Sequence, residues 1–549
     1  MTLSKPEEGG HVEPSPTRIR PSGDMTLPKP EDRASVARTD PTSRKVVRNT
    51  LFNYLAVLSL TLVRFLALPV IVHGLGNDRY GIYAAVMGVA GYVGLLDLGI
   101  GVSLTKFVAE YHARGETERL NRLLGTALLL YAGLGLLGMA LMAGFADLCI
   151  RSLFHLPEPF WPEARIVFWL SAFSLFNGLT LGVFGNLLNG LQRQDVSRSI
   201  TVVNTVVTYG GSILLVKLGY GLVAFVLFGT AVNLASFLVQ ALLAARLMPA
   251  LRFVPRGFDR AEAGRIAHFS FAMFVNQVAA RNLLSLDRLV LGVFLPIANV
   301  TLYSVGAMAA NFCTRVPAAA VLASLPAASE LAAQGRTGAL HELVLRGMKY
   351  TGVVTIPLFT AVGILAPDLV RLWMGPGYES SARVLQLLLV GSFWLAITSS
   401  GQSVMVGIGK PYLNTLYAVL QIVLGSTLMI VMVHFFGLYG AAVSSLLTCS
   451  LGGMAYLVHS TLLFRIPFRR VLSAGILLRI LTLLGPGVLW AAGRAVRPSE
   501  GAASILAQLL VYLALYGAVL IRYHIDDFDI EKIAQVVPAV RRLNFLRRR

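Results

Sequence analysis

Apolar stretches, each about the length of a membrane crossing and separated by short polar turns, follow one another from residue 47 to residue 521. Runs near the roughly 20 residues needed to span a bilayer lie at 47–73, 82–105, 123–149, 166–190, 200–217, 220–245, 266–292, 298–325, 350–370, 384–407, 412–435, 438–464, 471–492 and 502–521. Fourteen transmembrane helices are therefore expected, with the divisions inside 200–245 and 412–464 the least sharp. Two of the polar turns are nearly the same turn. Tyr83, Ala90, Glu110, Ala113, Gly115, Thr117 and Leu120 return 220 positions later as Tyr303, Ala310, Glu330, Ala333, Gly335, Thr337 and Leu340, without a change of register.

This repeat divides the chain. The pattern predicts an all-α polytopic membrane protein: a six-helix bundle over 44–245, a linker over 246–265, a second six-helix bundle over 266–464 and an extra helix pair over 465–523. Residues 1–43, rich in Pro, Ser, Thr and charge, read as a disordered tail, and 524–549 as a basic tail. MTLSKPE at Met1 returns as MTLPKPE at Met25, which gives that segment no task. The first apolar run begins past residue 40 and is too long for a signal sequence. Equivalent segments of the two halves start on the same side, so the repeat is of the parallel type, with an axis along the membrane normal; two such halves around a central site are a common plan of secondary transporters.

Composition agrees. Of 549 residues, 55% are hydrophobic and 14% charged, and the mean hydropathy is +0.68, more apolar surface than a soluble core hides. The net charge of +19 would suggest nucleic acid in a soluble protein; here its placement gives a different reading. Alternate sides of the helices carry 28 and eight Lys and Arg. The richer side includes Lys106 to Arg122, Arg246 to Arg265 and Arg336 to Lys349, and the poorer side Arg79, Arg151, Arg165 and Arg371. By the positive-inside rule both termini face the cytoplasm. Cys149, Cys313 and Cys449 sit in or at the ends of apolar runs, offer no metal-site spacing and read as packing residues.

The sequence has no Walker A loop, no dinucleotide fingerprint in strand-to-helix context, no HExxH and no nucleophile elbow. No catalytic residue, metal or cofactor is expected, and the protein is read as no enzyme. The informative groups are charges inside apolar runs: Arg64, Asp97, Arg281, Asp287, Arg288 and Arg315. Each central Arg costs about 2.5–3.5 kcal/mol to insert, so four facing lipid would cost on the order of 10 kcal/mol. They should face water or a counter-ion. Arg281 and Arg288, seven apart, share a helix face with Gln277 and Ser285; Arg315 lies one turn from Asn311, and Arg64 three turns from Asn53. The Arg64 and Arg281 stripes would confront each other across the cleft. Guanidinium groups there suit an anion, above all a phosphate; the alternative is snorkelling or structural pairing, Arg288 with Asp287 and Arg64 with Asp97. Asp97 in LLDLGIG is a coupling carboxylate or, more in keeping with its place near a helix end, a structural cap; Asp287 is the better coupling candidate. Pro69, Pro317, Pro326 and Pro357 interrupt helices and free carbonyls. Arg479 reads as a snorkelling residue, and the tail Arg541, Arg542 and Arg547 to Arg549 as basic residues near anionic lipid.

The runs LPVIVHGLGNDRYGIYAAVMGVAGYVGLLDLGIGVSLTKFVAEYHARGE, LDRLVLGVFLPIANVTLYSVGAMAANFCTRVPAAAVLASLPAASELAAQGR and PDLVRLWMGPGYESSARVLQLLLVGS together resemble the polysaccharide transporter, or Wzx-type oligosaccharide flippase, branch of the multidrug/oligosaccharidyl-lipid/polysaccharide exporter superfamily, over about 45–465. The resemblance implies a flippase moving an undecaprenyl pyrophosphate-linked oligosaccharide across the cytoplasmic (inner) membrane by alternating access, for lipopolysaccharide or exopolysaccharide export. It implies a lipid-linked oligosaccharide and membrane lipids as partners, a proton or sodium ion for coupling, and polysaccharide polymerase or glycosyltransferase machinery nearby. Relatives carry cavity cations, to which Arg64, Arg281, Arg288 and Arg315 correspond by helix. The alternatives are a lipid II flippase and a multidrug or cation antiporter, which would want cavity carboxylates. A membrane glycosyl- or phosphotransferase would need an acidic pair on a long outer loop, and the loops are short.

Overall fold

The computed structural model describes residues 59–249, 258–321, 324–409, 411–463, 482–496 and 502–524. The expected tails, Asn53, Arg479 and the centre of the linker lie outside them. Nine described helices are long and apolar enough to cross a membrane, beside the shorter apolar helix Ser59–Leu75.

In chain order the helices are α1 (Ser59–Leu75), α2 (Asn77–Val93), α3 (Ile100–Ala113), α4 (Thr117–Gly144), α5 (Trp161–Gly190), α6 (Gln194–Lys217) and α7 (Leu222–Leu247). The second half holds α8 (Arg260–Phe294), α9 (Ala298–Val321), α10 (Ser324–Ala333), α11 (Thr337–Met374), α12 (Glu379–Gly407) and α13 (Pro411–Leu463), then α14 (Gly485–Val496) and α15 (Ala502–Tyr523). The repeat is visible in the backbone. Gly115 and Gly335 adopt φ of 70° and 66°, the left-handed conformation that ends a helix cheaply only at glycine. Glu116 N donates to Tyr111 O at 2.9 Å, and Arg336 N to Leu331 O at 3.0 Å. These are the same six-to-one closure.

Three expectations change. The run at 82–105 is not one helix: it begins at Asn77, breaks through a 3₁₀ turn at Gly94–Asp97 and left-handed Leu98 and Gly99, and resumes at Ile100. The linker expected over 246–265 is already helical from Arg260, because the Asp259 carboxylate accepts from Ala261 N at 2.8 Å and Glu262 N at 3.2 Å, satisfying otherwise unpaired donors. The runs at 412–435 and 438–464 meet without a loop, at Gly437 with φ 56° and ψ −134°.

The apolar packing is uneven along the membrane axis. At the end remote from the basic loops, Ile71, Val72, Phe168, Val300, Val370 and Val384 belong to one core built from both bundles. Toward the basic end the cores separate. Leu104, Leu123 and Leu187 form one in the first bundle, joined by Ile266 of α8, and Val344, Ile397 and Val404 another in the second. The bundles are thus welded by one shared core at one end and have separate cores at the other, where α8 of the second bundle still rests on the first.

Prolines inside helices leave the carbonyl four residues back without its N–H. Neighbouring helices supply the missing donor at three of them. Trp373 Nε1 reaches Phe65 O at 3.0 Å opposite Pro69, Gln386 Nε2 reaches Gly363 O at 2.8 Å opposite Pro367, and Tyr516 Oη reaches Val353 O at 2.6 Å opposite Pro357. The last of these ties α15 to α11, and Arg494 with Asp368, at 2.5 Å, ties α14 to the same helix.

Candidate functional site

The welded end is held by contacts related through the repeat. A Cβ on Gly81 would stand 2.3 Å from Ile297 O, so only glycine allows that approach. Its counterpart 220 residues on, Thr301, donates to Asn77 O at 2.6 Å, and Asn77 is the counterpart of Ile297. Tyr378 Oη donates to Asn77 Oδ1 at 2.8 Å. The Phe65 ring stacks on Trp373 with centroids 3.9 Å apart and planes 6° from parallel.

At the basic end α8 leans on the first bundle. Ser103 and Ser270 hydroxyls lie 2.7 Å apart. Tyr111 Oη donates to Glu262 at 2.9 Å and accepts from Arg265 at 2.8 Å. Burial, then the bond to Glu262, raises the Tyr111 phenol above its ordinary value, so it stays a neutral donor. Arg119 holds the Glu116 carboxyl below its ordinary value through their hydrogen bond. Lys106 lies over the Phe107 and Phe269 rings at 4.8 and 4.3 Å.

Between the ends lie the charges. Arg64 lies on α1, and Arg288 on α8 packs against the first bundle, where a Cβ on Gly88 of α2 would stand 3.6 Å from the Arg288 Cβ. Beside Arg288 a cavity of about 450 Å³ opens within the second bundle, lined by Asp287, Arg288, Tyr303, Asn311, Gln421 and small polar residues of α12 and α13. Its size is that of a small-molecule site.

The structure brings Arg288, Asp287 and Asn311 together on this cavity wall and leaves Arg64 exposed on α1, off that wall. Arg315 is exposed on α9 and does not line the cavity. The side chains of Gln277 and Arg281 lie outside the described residues. Neither expected ion pair forms among the described residues. Asp287 accepts the backbone N–H of Arg288 at 2.8 Å, and the Arg288 Nε is buried without a partner. Asp97, in the broken part of α2, accepts from Tyr131 Oη at 2.5 Å and from Gly99 N at 3.2 Å, because its turn points it at α4 rather than at α1. Sequence reasoning missed Ser392, Gln421, Ser444 and Thr448, which also line the cavity. A faint signal existed: Ser392 and Ser399 stand seven apart, and Ser444 and Thr448 four apart, each pair on one helix face.

Two like helical bundles that share an apolar core at one end define a multi-pass membrane protein with a transporter fold. The chain belongs to the family described as polysaccharide biosynthesis protein, whose pattern matches residues 46–332. It is 22% identical over 403 residues to the Shigella flexneri protein named "Putative O-antigen transporter", covering 73% of this chain and 94% of that one. Among solved structures, lipid II flippase MurJ in an inward closed conformation superposes with a TM-score of 0.68 at 13% identity, over 85% of this chain and 97% of that one. An inward-facing multidrug resistance MATE transporter of the MOP superfamily superposes with a TM-score of 0.59 at 17% identity, over 74% and 94%. The fold is that of this superfamily.

Proposed function

We propose that the protein flips an undecaprenyl pyrophosphate-linked oligosaccharide across the cytoplasmic membrane by alternating access, for export of a cell-surface polysaccharide. The observation that carries this reading is Arg288, whose Nε is buried without a partner on the wall of a cavity of about 450 Å³, at a point where α8 packs on Gly88 of the first bundle. A pyrophosphate offers several anionic oxygens to guanidinium forks, and Arg64 on α1 and Arg288 on α8 belong to the two bundles that alternating access moves apart. The basic end is the cytoplasmic end, both termini lie there, and the welded end faces outward. Asp287, the carboxylate of the cavity, is the coupling group for a proton or sodium gradient. Replacing Arg64 and Arg288 together by Gln lowers export at least tenfold with unchanged protein level; full export from that variant removes the reading. Depletion of the protein should leave a lipid-linked glycan on the inner leaflet, and accumulation of lipid II instead would reassign the substrate.

A further inference from the structure

The cavity beside Arg288 carries more polar capacity than a phosphate can use. Thr448 is 2% exposed, lines the cavity, and its Oγ1 has no hydrogen-bond partner. Gln421, 9% exposed, lines the same wall. Its carboxamide is seated by a close approach: a Cβ on Gly452 would stand 2.2 Å from Gln421 Nε2. Ser392 completes the wall from α12. Deep in a membrane, polar groups left without partners are costly, and they persist where a ligand or water completes them.

The kind of ligand follows from the kind of group. Phosphate oxygens only accept, and a cation only takes acceptors. An amide and two hydroxyls each donate and accept, which matches a neutral ligand carrying many hydroxyls. We propose that this cavity, through Ser392, Gln421 and Thr448, is a glycan subsite that takes a sugar unit of the lipid-linked substrate while Arg288 at its rim holds the phosphate side. The inference rests on the flippase reading and adds a site to it. It makes the second bundle the half of the protein that reads the sugar.

The test uses the full chain in lipid nanodiscs and two probes: undecaprenyl pyrophosphate without sugar, and the lipid-linked oligosaccharide extracted from the producing cells. Thr448→Val removes an unpaired hydroxyl at nearly constant volume, so it stays folded even where Gln421→Leu does not. Losing a hydrogen bond of about 1 kcal/mol corresponds to roughly fivefold in affinity. Each variant should weaken binding of the glycan-bearing lipid about fivefold and leave the bare lipid pyrophosphate unchanged. Equal loss on both probes, or no loss on either, overturns the subsite while the flippase reading stands. A wild-type chain that binds neither probe overturns the flippase reading and this inference with it.

Discussion

The Trp373 indole offers a direct way to weigh the welded end. Pro69 leaves Phe65 O without its helical donor, and the indole of the other bundle provides one at 3.0 Å. Trp373→Phe keeps an aromatic ring to stack on Phe65 and removes only the N–H. A part-buried carbonyl losing its donor costs about 1–3 kcal/mol, and that cost falls on the state in which the bundles meet, because separation lets water reach the carbonyl. The equilibrium should therefore move toward separation at that end by roughly 5- to 150-fold. Spin labels at Tyr220 and Phe435, which are 54% and 72% exposed on different bundles, would report the distance distribution in a background lacking the three cysteines. Pro69→Ala restores an N–H within α1, so in that background Trp373→Phe should cost much less. That non-additivity isolates the hydrogen bond. An unchanged distribution in Trp373→Phe, or equal shifts with and without Pro69, would refute the reasoning.

Other perturbations follow the same logic. Gly81→Val puts side-chain atoms into Ile297 O, 2.3 Å from the Cβ position, and should favour separated bundles in the same distance measurement. Tyr516→Phe orphans Val353 O and should lower stability against denaturant by about 1 kcal/mol, with Pro357→Ala offsetting the loss. Tyr131→Phe removes the charge-assisted bond to Asp97 and should cost about 1.5–3 kcal/mol in the same assay, without changing the dependence of flipping on ion gradients; Asp287→Asn should flatten that dependence. Glu116 has a folded value below its ordinary 4.5, so what its pair with Arg119 contributes is complete above pH 4.5 and fades as pH falls through the lower folded value. Glu116→Gln should remove that small acid-side slope and nothing near neutral pH.

How much of this was legible depends on how far a residue stands out from its surroundings. Helix lengths follow from bilayer thickness, and the twin turns at Gly115 and Gly335 are marked by the residue that ends a helix this way at least cost. Arg288 and Asp287 were legible because a charge in an apolar run is conspicuous. Gln421, Ser392 and Thr448 were not. Small hydroxyl residues in membrane helices usually bond their own backbone, as Thr355 does to Thr351 O at 2.7 Å and Thr427 to Val423 O at 3.0 Å, so composition alone does not say which face a cavity. The break at Gly94–Gly99 was hidden because the apolar run continues through it on both sides, although Asp97 between Gly94 and Gly99 marked the spot. Asp97 could be placed near Arg64 by helix position, yet a left-handed turn at Leu98 and Gly99 redirects its carboxylate to Tyr131.

The pair of touching points around Gly81 and Thr301 has one more consequence. Each half offers the other the same spot, glycine to carbonyl on one side and threonine to carbonyl on the other, so both junctions lie about a shared pivot. Tilting the halves apart cannot release one junction and keep its twin. The two contacts form one patch, since a Cβ on Gly81 would also stand 3.2 Å from Thr301 Oγ1, so a side chain added at the glycine disturbs both.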